Sequence, residues 1–383
     1  MQDYQNGKVT TLIIMKKIAI LTIIEGTIKT GFLITFSIQE EKGNLFPTVR
    51  ANLPPNVEIE QFYQAWRKSY SSFFDANFFP IRIKKKGNFP KQYSYLDDFA
   101  EQELKLKKSL NYWLDCHEFK SIREGILSDF NSYDEIKFII QTEDIFLRKL
   151  PWYEYKLFDN YPNLAIVFSK IESSITVINP QNKQKEQNKT QVKILAILGD
   201  SLDIEVEQDL KQLKTRLPDA YILEMINPTR EELTDRLWEE NWDIFFFSGH
   251  SSLDMDRDEA WFELQPNLEN QIIVYLTILL LAKDNKYQFI FFLLDFYYPT
   301  EYITIKELKY GLKTAINNGL QLAIFNSCDG LSFAKKLEEL RLPATVVMSE
   351  KIPDELSPKL LQYFLDFFAE QGKTLELSIR RTR

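Results

Sequence analysis

The chain has 383 residues, of which 44% are hydrophobic and 27% charged, and at roughly 150 residues per domain this length predicts two or three domains. Its 55 acidic and 47 basic residues give a net charge of −8 that is spread along the chain, so nucleic acid is not expected as the main partner. Two cysteines exclude a disulfide framework and, with two histidines, are too few for a structural zinc site, so we expect a reducing compartment and no metal or other cofactor.

The apolar stretches of the chain do not have the form of targeting or membrane segments. Residues 12–24 are broken by Lys16 and Lys17, whereas a signal peptide carries its charge before the apolar run, so a strand is predicted there. Residues 272–282 and 289–294 are both shorter than the roughly 18–20 residues that a spanning helix needs. We therefore expect a cytoplasmic protein with no membrane span.

The first half of the chain predicts a mixed α and β region. Its predicted elements are strands at 10–24 and 31–38, helices at 59–74 and 96–113, and strands at 136–140 and 164–168. Residues 179–191 contain no apolar residue except Pro180 and cannot contribute to a core. We therefore place the main linker there.

After this linker, short apolar runs alternate with amphipathic stretches. The predicted strands are 193–198, 221–226, 244–247, 320–325 and 345–348, and the predicted helices are 205–217, 230–240, 305–316, 332–340 and 353–369. Continuous apolar strands that alternate with helices are typical of a parallel sheet with helices on both faces. The second half is therefore predicted to be an α/β core.

Polar residues follow three of these strands, at the edge where an open parallel sheet binds ligands. Asp200 follows the first strand, His250 the third and Cys328 the fourth. If the strand order is 2-1-3-4-5, the third and fourth strands are neighbours about 4.8 Å apart, which brings His250 within reach of Cys328. Such a histidine activates the thiol as the nucleophile for acyl transfer from a peptide bond. The backbone N–H groups of Ser251 and Cys328, in the loops after the strands, are the predicted oxyanion donors.

Simpler interpretations of the same residues remain open. A cysteine is often buried without a role, and a loop histidine often only satisfies hydrogen bonds. No third residue that would orient His250 is identified from the sequence. Cys116 and His117 lie side by side at a helix end, where neighbours point about 100° apart, so they are not predicted to form a dyad. Asp329 is predicted to be a turn residue ahead of Gly330.

Two motifs carry a resemblance to a known family. FFFSGHSS at 245–252 and LAIFNSCDGL at 322–331 together resemble the CHAT-domain family of caspase- and separase-like cysteine peptidases, which is abundant in cyanobacteria. Other segments similar to this family are ILAILGDS at 194–201, LWEENWDIFFFSGHS at 237–251, VVMSEKIPDELS at 346–357, IIQTEDIFLRKLPW at 139–152 and LPPNVEIEQFYQAWRKSY at 53–70. The resemblance covers most of the chain.

The resemblance implies a caspase-like catalytic subdomain at 192–383, a pre-catalytic subdomain at 116–178 and an N-terminal α+β region at 1–115. It also implies endopeptidase cleavage through a thioester, with Cys328 as the nucleophile and His250 as the general base and acid. The implied partners are a protein or peptide substrate and sensor or tetratricopeptide-type proteins, in a regulated signalling, defence or cell-death pathway. A catalytically inactive CHAT scaffold that binds partner proteins is the alternative. A doubly wound small-molecule enzyme is disfavoured because the chain has no glycine-rich phosphate loop.

Several positions bear on how far the family pattern applies. In related caspase-like enzymes the substrate's P1 side chain enters near the end of the first strand, where Asp200 would favour a basic residue; a turn or helix-capping role for Asp200 is the simpler alternative. Ser251 stands where many members have glycine, and residues 258–299 form an apolar insertion between the dyad residues. The chain ends at 375–383, where the last helix of the family would be under way, so a truncated member is expected.

Overall fold

The structure, a computed structural model, describes residues 16–40, 47–77, 93–171, 191–200, 205–254, 259–265, 301–327, 330–350, 352, 356–369 and 374–382. The chain divides into two compact units, the first comprising Met1–Ile175 with Gly372–Arg383 and the second comprising Thr176–Gln371. Most of the linker predicted at 179–191 lies outside the described residues.

The helices and strands are numbered in chain order. The elements up to residue 171 are β1 Lys16–Thr27, β2 Gly31–Glu40, β3 Val49–Leu53, α1 Val57–Asn77, α2 Tyr93–Leu114, α3 Lys120–Asp129, β4 Glu135–Gln141, α4 Ile145–Lys149 and β5 Leu164–Ser169, with 3-10 turns at Trp152–Glu154 and Lys156–Asn160. The later elements are β6 Lys193–Leu198, α5 Val206–Arg216, β7 Tyr221–Ile226, α6 Arg230–Glu239, β8 Ile244–Ser248, β9 Ser251–Asp254, β10 Glu259–Gln265, β11 Glu301–Thr304, α7 Lys309–Asn317, β12 Leu322–Asn326, α8 Gly330–Glu339, β13 Ala344–Val347, α9 Ser357–Ala369 and α10 Leu375–Thr382.

The first unit is built on a mixed sheet with the strand order β3-β2-β1-β4-β5. The pairing predicted between the first two strands is confirmed, because β1 and β2 form an antiparallel pair. Alternate residues of β1, such as Ala19 and Leu21, are buried against a core that also includes Ile59 of α1 and Leu110 of α2. This alternation is the period of a strand with one buried face.

The structure divides the chain differently from the sequence in two places. The sheet of the first unit pairs β1 with β4, so it joins residues from both sides of the boundary predicted between 115 and 116. The helix α10 packs against β5, and the Arg380 guanidinium donates a hydrogen bond to the Leu164 carbonyl oxygen. The last residues, predicted as part of the catalytic subdomain 192–383, therefore belong to the first unit.

The second unit is an α/β domain whose parallel sheet has the strand order β7-β6-β8-β12-β13. Counted from the first strand of this unit, the order is 2-1-3-4-5, so the condition that makes the third and fourth strands neighbours is met. The central strands β6, β8 and β12 are buried along nearly their whole length. This explains why they are continuous apolar runs in the sequence.

Helices cover both faces of this sheet, as predicted. On one face the odd-numbered strand residues, such as Phe245 and Phe325, share a core with Leu233 of α6, Leu312 of α7 and Phe333 of α8. The opposite face carries the even-numbered residues. There α5 and α9 pack against each other. The buried apolar side chains of these two helices include Val206, Leu210, Leu213, Leu361, Phe364 and Leu365.

A second, three-stranded antiparallel sheet corrects the predicted insertion at 258–299. Its order is β11-β10-β9, and β10, formed by Glu259–Gln265, alternates buried and half-buried residues from Ala260 to Gln265. The Phe262 ring contacts the rings of Phe247, Phe325 and Phe333, with centroids 4.6 to 6.2 Å apart. The first part of the predicted insertion is therefore a strand of the folded core, and residues 266–299 lie outside the described part of the chain.

The helix predicted at 305–316 begins later, at Lys309. The Glu307 carboxylate accepts hydrogen bonds from the backbone N–H and the hydroxyl of Thr304, at 2.8 and 2.9 Å. The Glu307 N–H donates in return to the Thr304 hydroxyl oxygen at 3.2 Å. These reciprocal bonds hold a separate turn ahead of α7, which periodicity alone does not distinguish from the helix itself.

Candidate functional site

The strands that precede His250 and Cys328 are hydrogen-bonded neighbours with matched ends. β8 and β12 run parallel, and their last residues, Ser248 and Asn326, are register partners. His250 follows Ser248 by two residues, and Cys328 follows Asn326 by two residues. Cys328 itself lies outside the described residues. The described chain thus leaves the same edge of the sheet at register-matched ends of the two strands that precede the dyad candidates.

The backbone around His250 is held by the strand β10. The His250 carbonyl oxygen accepts a hydrogen bond from the Glu263 N–H at 3.0 Å, and the His250 side chain is half-buried. The prediction that Ser251 lies in the loop after the strand is wrong, because Ser251 is the first residue of β9 and pairs with Phe262. The segment that carries His250 is therefore a short connection between two strands, anchored on both sides.

Asp200 lies at the same edge and is 4% exposed. Its backbone N–H donates to the Glu263 carbonyl oxygen at 3.0 Å, and the preceding Gly199 N–H donates to the Ser248 carbonyl oxygen at 2.9 Å. Asp200 does not cap the following helix, because the N-cap of α5 is Glu205. Asp200 is therefore not the N-cap of α5. It lies beside β10, to which its backbone N–H is bonded.

Glu263 is a candidate site residue that the sequence interpretation missed. Its backbone bonds join the Asp200 and His250 segments, and its side chain is half-buried. Burial raises the pKa of the Glu263 carboxyl, the Asp200 charge raises it further, and attraction to His250 opposes the rise. Its period-2 setting, with Phe262 and Leu264 buried on either side, is a strand signal that could have revealed it within the supposed insertion.

A buried polar network lies beneath this edge, on the face covered by α5 and α9. Asp209 of α5, 4% exposed, accepts hydrogen bonds through Oδ2 from the Ser248 hydroxyl at 2.6 Å and from the Asn326 amide at 2.7 Å. The Asn326 side-chain oxygen accepts in turn from the Ser357 hydroxyl at 2.7 Å. A single carboxylate therefore bridges the last residues of β8 and β12.

Cys116 and His117 lie two and three residues beyond the last residue of α2, close to the helix end at which they are predicted. Burial raises the pKa of the Cys116 thiol, which disfavours the thiolate that a nucleophile needs. Among the residues that the structure describes, no group of three or more His, Cys, Asp or Glu could hold a metal ion. None of the described helices is both long and apolar enough to cross a membrane.

No family model matches the chain, and no curated protein matches it significantly.

Proposed function

We propose that this chain is a caspase-like cysteine endopeptidase of the CHAT type, in which His250 and Cys328 form the catalytic dyad. The observation that carries the proposal is the register of β8 and β12, which aligns the residues two positions before each dyad member. Parallel strands in this arrangement are about 4.8 Å apart, so the segments that follow them start within reach of a histidine–thiolate contact. The motifs around both residues resemble the CHAT family, and this resemblance is the reason for proposing peptide-bond cleavage as the reaction.

In the proposed reaction, His250 takes the proton of the Cys328 thiol, and the thiolate attacks the carbonyl carbon of a peptide bond. The tetrahedral intermediate collapses as the C–N bond breaks and the protonated His250 donates its proton to the leaving amine. The remaining thioester is attacked by water, which loses a proton to His250. Breaking the C–S bond then releases the carboxylic acid product, and protonated His250 returns its proton to the sulfur, which regenerates the thiol.

The oxyanion of the tetrahedral intermediate would be stabilised by the backbone N–H groups of Ser251 and Cys328. Asp200 at the same edge would accept a basic P1 side chain of the substrate, since a buried carboxylate recognises an opposite charge. The proposed substrate is a protein or peptide, and the proposed partners are sensor or tetratricopeptide-type proteins. The proposed setting is a regulated signalling, defence or cell-death pathway of the cytoplasm.

The experiment that tests this function is the alkylation of Cys328 by iodoacetamide across pH, in the full chain and in its His250→Ala variant. We expect Cys328 to react well below the ordinary thiol pKa of about 8.5, and we expect His250→Ala to remove this advantage. Cys116 in the same molecule is an internal control, because burial raises its pKa and it should react only at higher pH.

Equal reactivity of Cys328 in both proteins, at an ordinary thiol pH, would contradict the dyad. The chain would then fit the alternative of a catalytically inactive scaffold, and binding to partner proteins would be the activity to measure.

A further inference from the structure

We propose that Asp209 is a positioning residue that sets the spacing of the two segments that carry His250 and Cys328. The role of Asp209 in catalysis depends on the proposed function. The hydrogen bonds from which the role is inferred lie beneath the sheet edge. Asp209 lies in α5, on the other side of the strands from β10, and it does not belong to the dyad.

The Asp209 carboxylate bonds to both strands at the last residue of each. The Ser248 hydroxyl and the Asn326 amide both donate to the same oxygen, Oδ2, at 2.6 and 2.7 Å. Hydrogen bonds to an ionised acceptor are shorter and stronger than those between neutral groups. Because Ser248 and Asn326 are register partners, this shared oxygen ties together the two points from which the dyad segments leave the sheet.

The surroundings favour a charged and fixed carboxylate at this place. Asp209 lies in the first turn of α5, where the partial positive charge of the helix N-terminus stabilises an anion. The Asn326 side chain is oriented by a second bond, since its oxygen accepts from the Ser357 hydroxyl at the start of α9. The carboxylate therefore connects α5, β8, β12 and α9 around one buried point.

A general base works only within hydrogen-bond reach of the proton it takes, and small misplacements reduce rates strongly. If β8 and β12 separate or slide at their ends, the dyad residues two positions further on move with them. Replacing the carboxylate by an amide removes the charge and places an N–H₂ group against two donors. We therefore expect Asp209→Asn to loosen the segments while the apolar core of the unit stays in place.

The first test measures proximity and does not depend on catalysis. In a chain carrying Cys116→Ser and His250→Cys, diamide should cross-link the new thiol to Cys328, because neighbouring strand ends are within disulfide reach. Adding Asp209→Asn should slow cross-linking about tenfold. A destabilised control, Leu213→Ala, removes an apolar contact of the same helix and leaves the polar network intact.

The inference is overturned if no cross-link forms with Asp209 present, if Asp209→Asn cross-links at the parent rate, or if Leu213→Ala slows the reaction as much as Asp209→Asn. A failure of the proposed function has a different signature: His250→Ala would leave Cys328 alkylation unchanged, while cross-linking would still respond to Asp209.

The second test uses the pH profile of Cys328 alkylation in the otherwise unaltered chain. Asp209→Asn should move the midpoint upward by about one pH unit, which corresponds to about a tenfold lower rate near neutral pH. Asp366→Asn is the matched control: it removes a carboxylate of α9 that pairs with Arg216 of α5 but does not bond to Ser248 or Asn326, and it should leave the profile at the wild-type midpoint. A folded Asp209→Asn protein with the wild-type profile would leave Asp209 only a structural role and overturn the inference.

Discussion

The pKa of Glu263 depends on the charges of two other candidate site residues, Asp200 and His250. Its carboxyl has a pKa raised above the ordinary 4.5 by burial and by Asp200, against the attraction to His250. The folded state therefore favours the protonated form. The stability that this provides is complete below pH 4.5 and is lost as the pH rises through the raised value, so the ionised carboxylate costs stability at neutral pH.

Glu263→Gln should consequently stabilise the second unit at pH 7 relative to pH 4. A gain of about 0.5 kcal/mol is expected once solvent screening of a half-buried group is allowed for. Hydrogen exchange of the β8 and β10 amides at the two pH values measures the free energy of opening of this unit. In an Asp200→Asn background the gain should shrink, because Asp200 contributes to the raised pKa. A gain that is independent of pH would contradict this assignment.

The sequence could suggest His250 and Cys328 as candidate site residues because each follows a predicted strand in the local α/β pattern. His250 and Cys328 follow apolar strands of a recognisable α/β pattern, and the observed strand order makes those strands neighbours. Asp209 could not be found in this way. In the sequence it is one acidic residue in the first turn of an amphipathic helix, and its partners are 39 and 117 residues away. Only the packing of α5 on the sheet assigns it to the buried side.

The connection between β8 and β9 depends on glycine at residue 249. Gly249 has a φ of +155°, and a Cβ there would lie 2.9 Å from the Phe247 ring and 3.2 Å from the Gly199 Cα. The ends of β6 and β8 therefore approach each other through two residues without side chains. This close approach determines how the segment that carries His250 leaves the sheet.

Gly249→Ala should destabilise the second unit by about 1–3 kcal/mol, since it combines a strained backbone with a steric clash. Gly125→Ala in α3 is the matched control. Its Cβ would meet Phe36 at an ordinary 3.8 Å, and alanine in a helix gains roughly 0.5–1 kcal/mol over glycine. Urea unfolding of both variants measures the difference. If Gly249→Ala and Gly125→Ala changed the free energy of unfolding equally, or if Gly249→Ala left it unchanged, the argument would be refuted.

At the scale of elements, hydrophobic periodicity predicted all five strands of the parallel sheet and four of the five strands of the sheet in the first unit, β3 being the exception. It failed at Glu259–Gln265, because this strand was grouped with the apolar run that starts at residue 272 in the sequence, and both were assigned to one insertion. It also extended α7 too far toward the N-terminus, since the turn held by Thr304 and Glu307 has helix-like spacing. Both errors arise where side-chain contacts, not local periodicity, determine the boundary.

The whole molecule has a chain path that local patterns do not predict. The first unit takes residues from both ends of the described chain, because α10 packs against β5 after the second unit has been completed. In α10 the side chains of Leu377 and Ser378 are buried. A short helix of this kind is amphipathic in sequence, and nothing in its pattern indicates which of two sheets it covers.

Deletion of residues 374–383 should therefore destabilise the first unit and leave the second unit unchanged. We expect a loss of about 2–5 kcal/mol, the range for removing one large buried apolar side chain, with faster hydrogen exchange in β4 and β5. Leu377→Ala should reproduce much of this effect, whereas Arg381→Ala, at an exposed position of the same helix, should not. Exchange measured strand by strand separates the two units. If the deletion accelerates exchange in β8 and β12 and spares β5, α10 belongs to the catalytic subdomain that the sequence predicted, and the division of the chain into these two units is wrong.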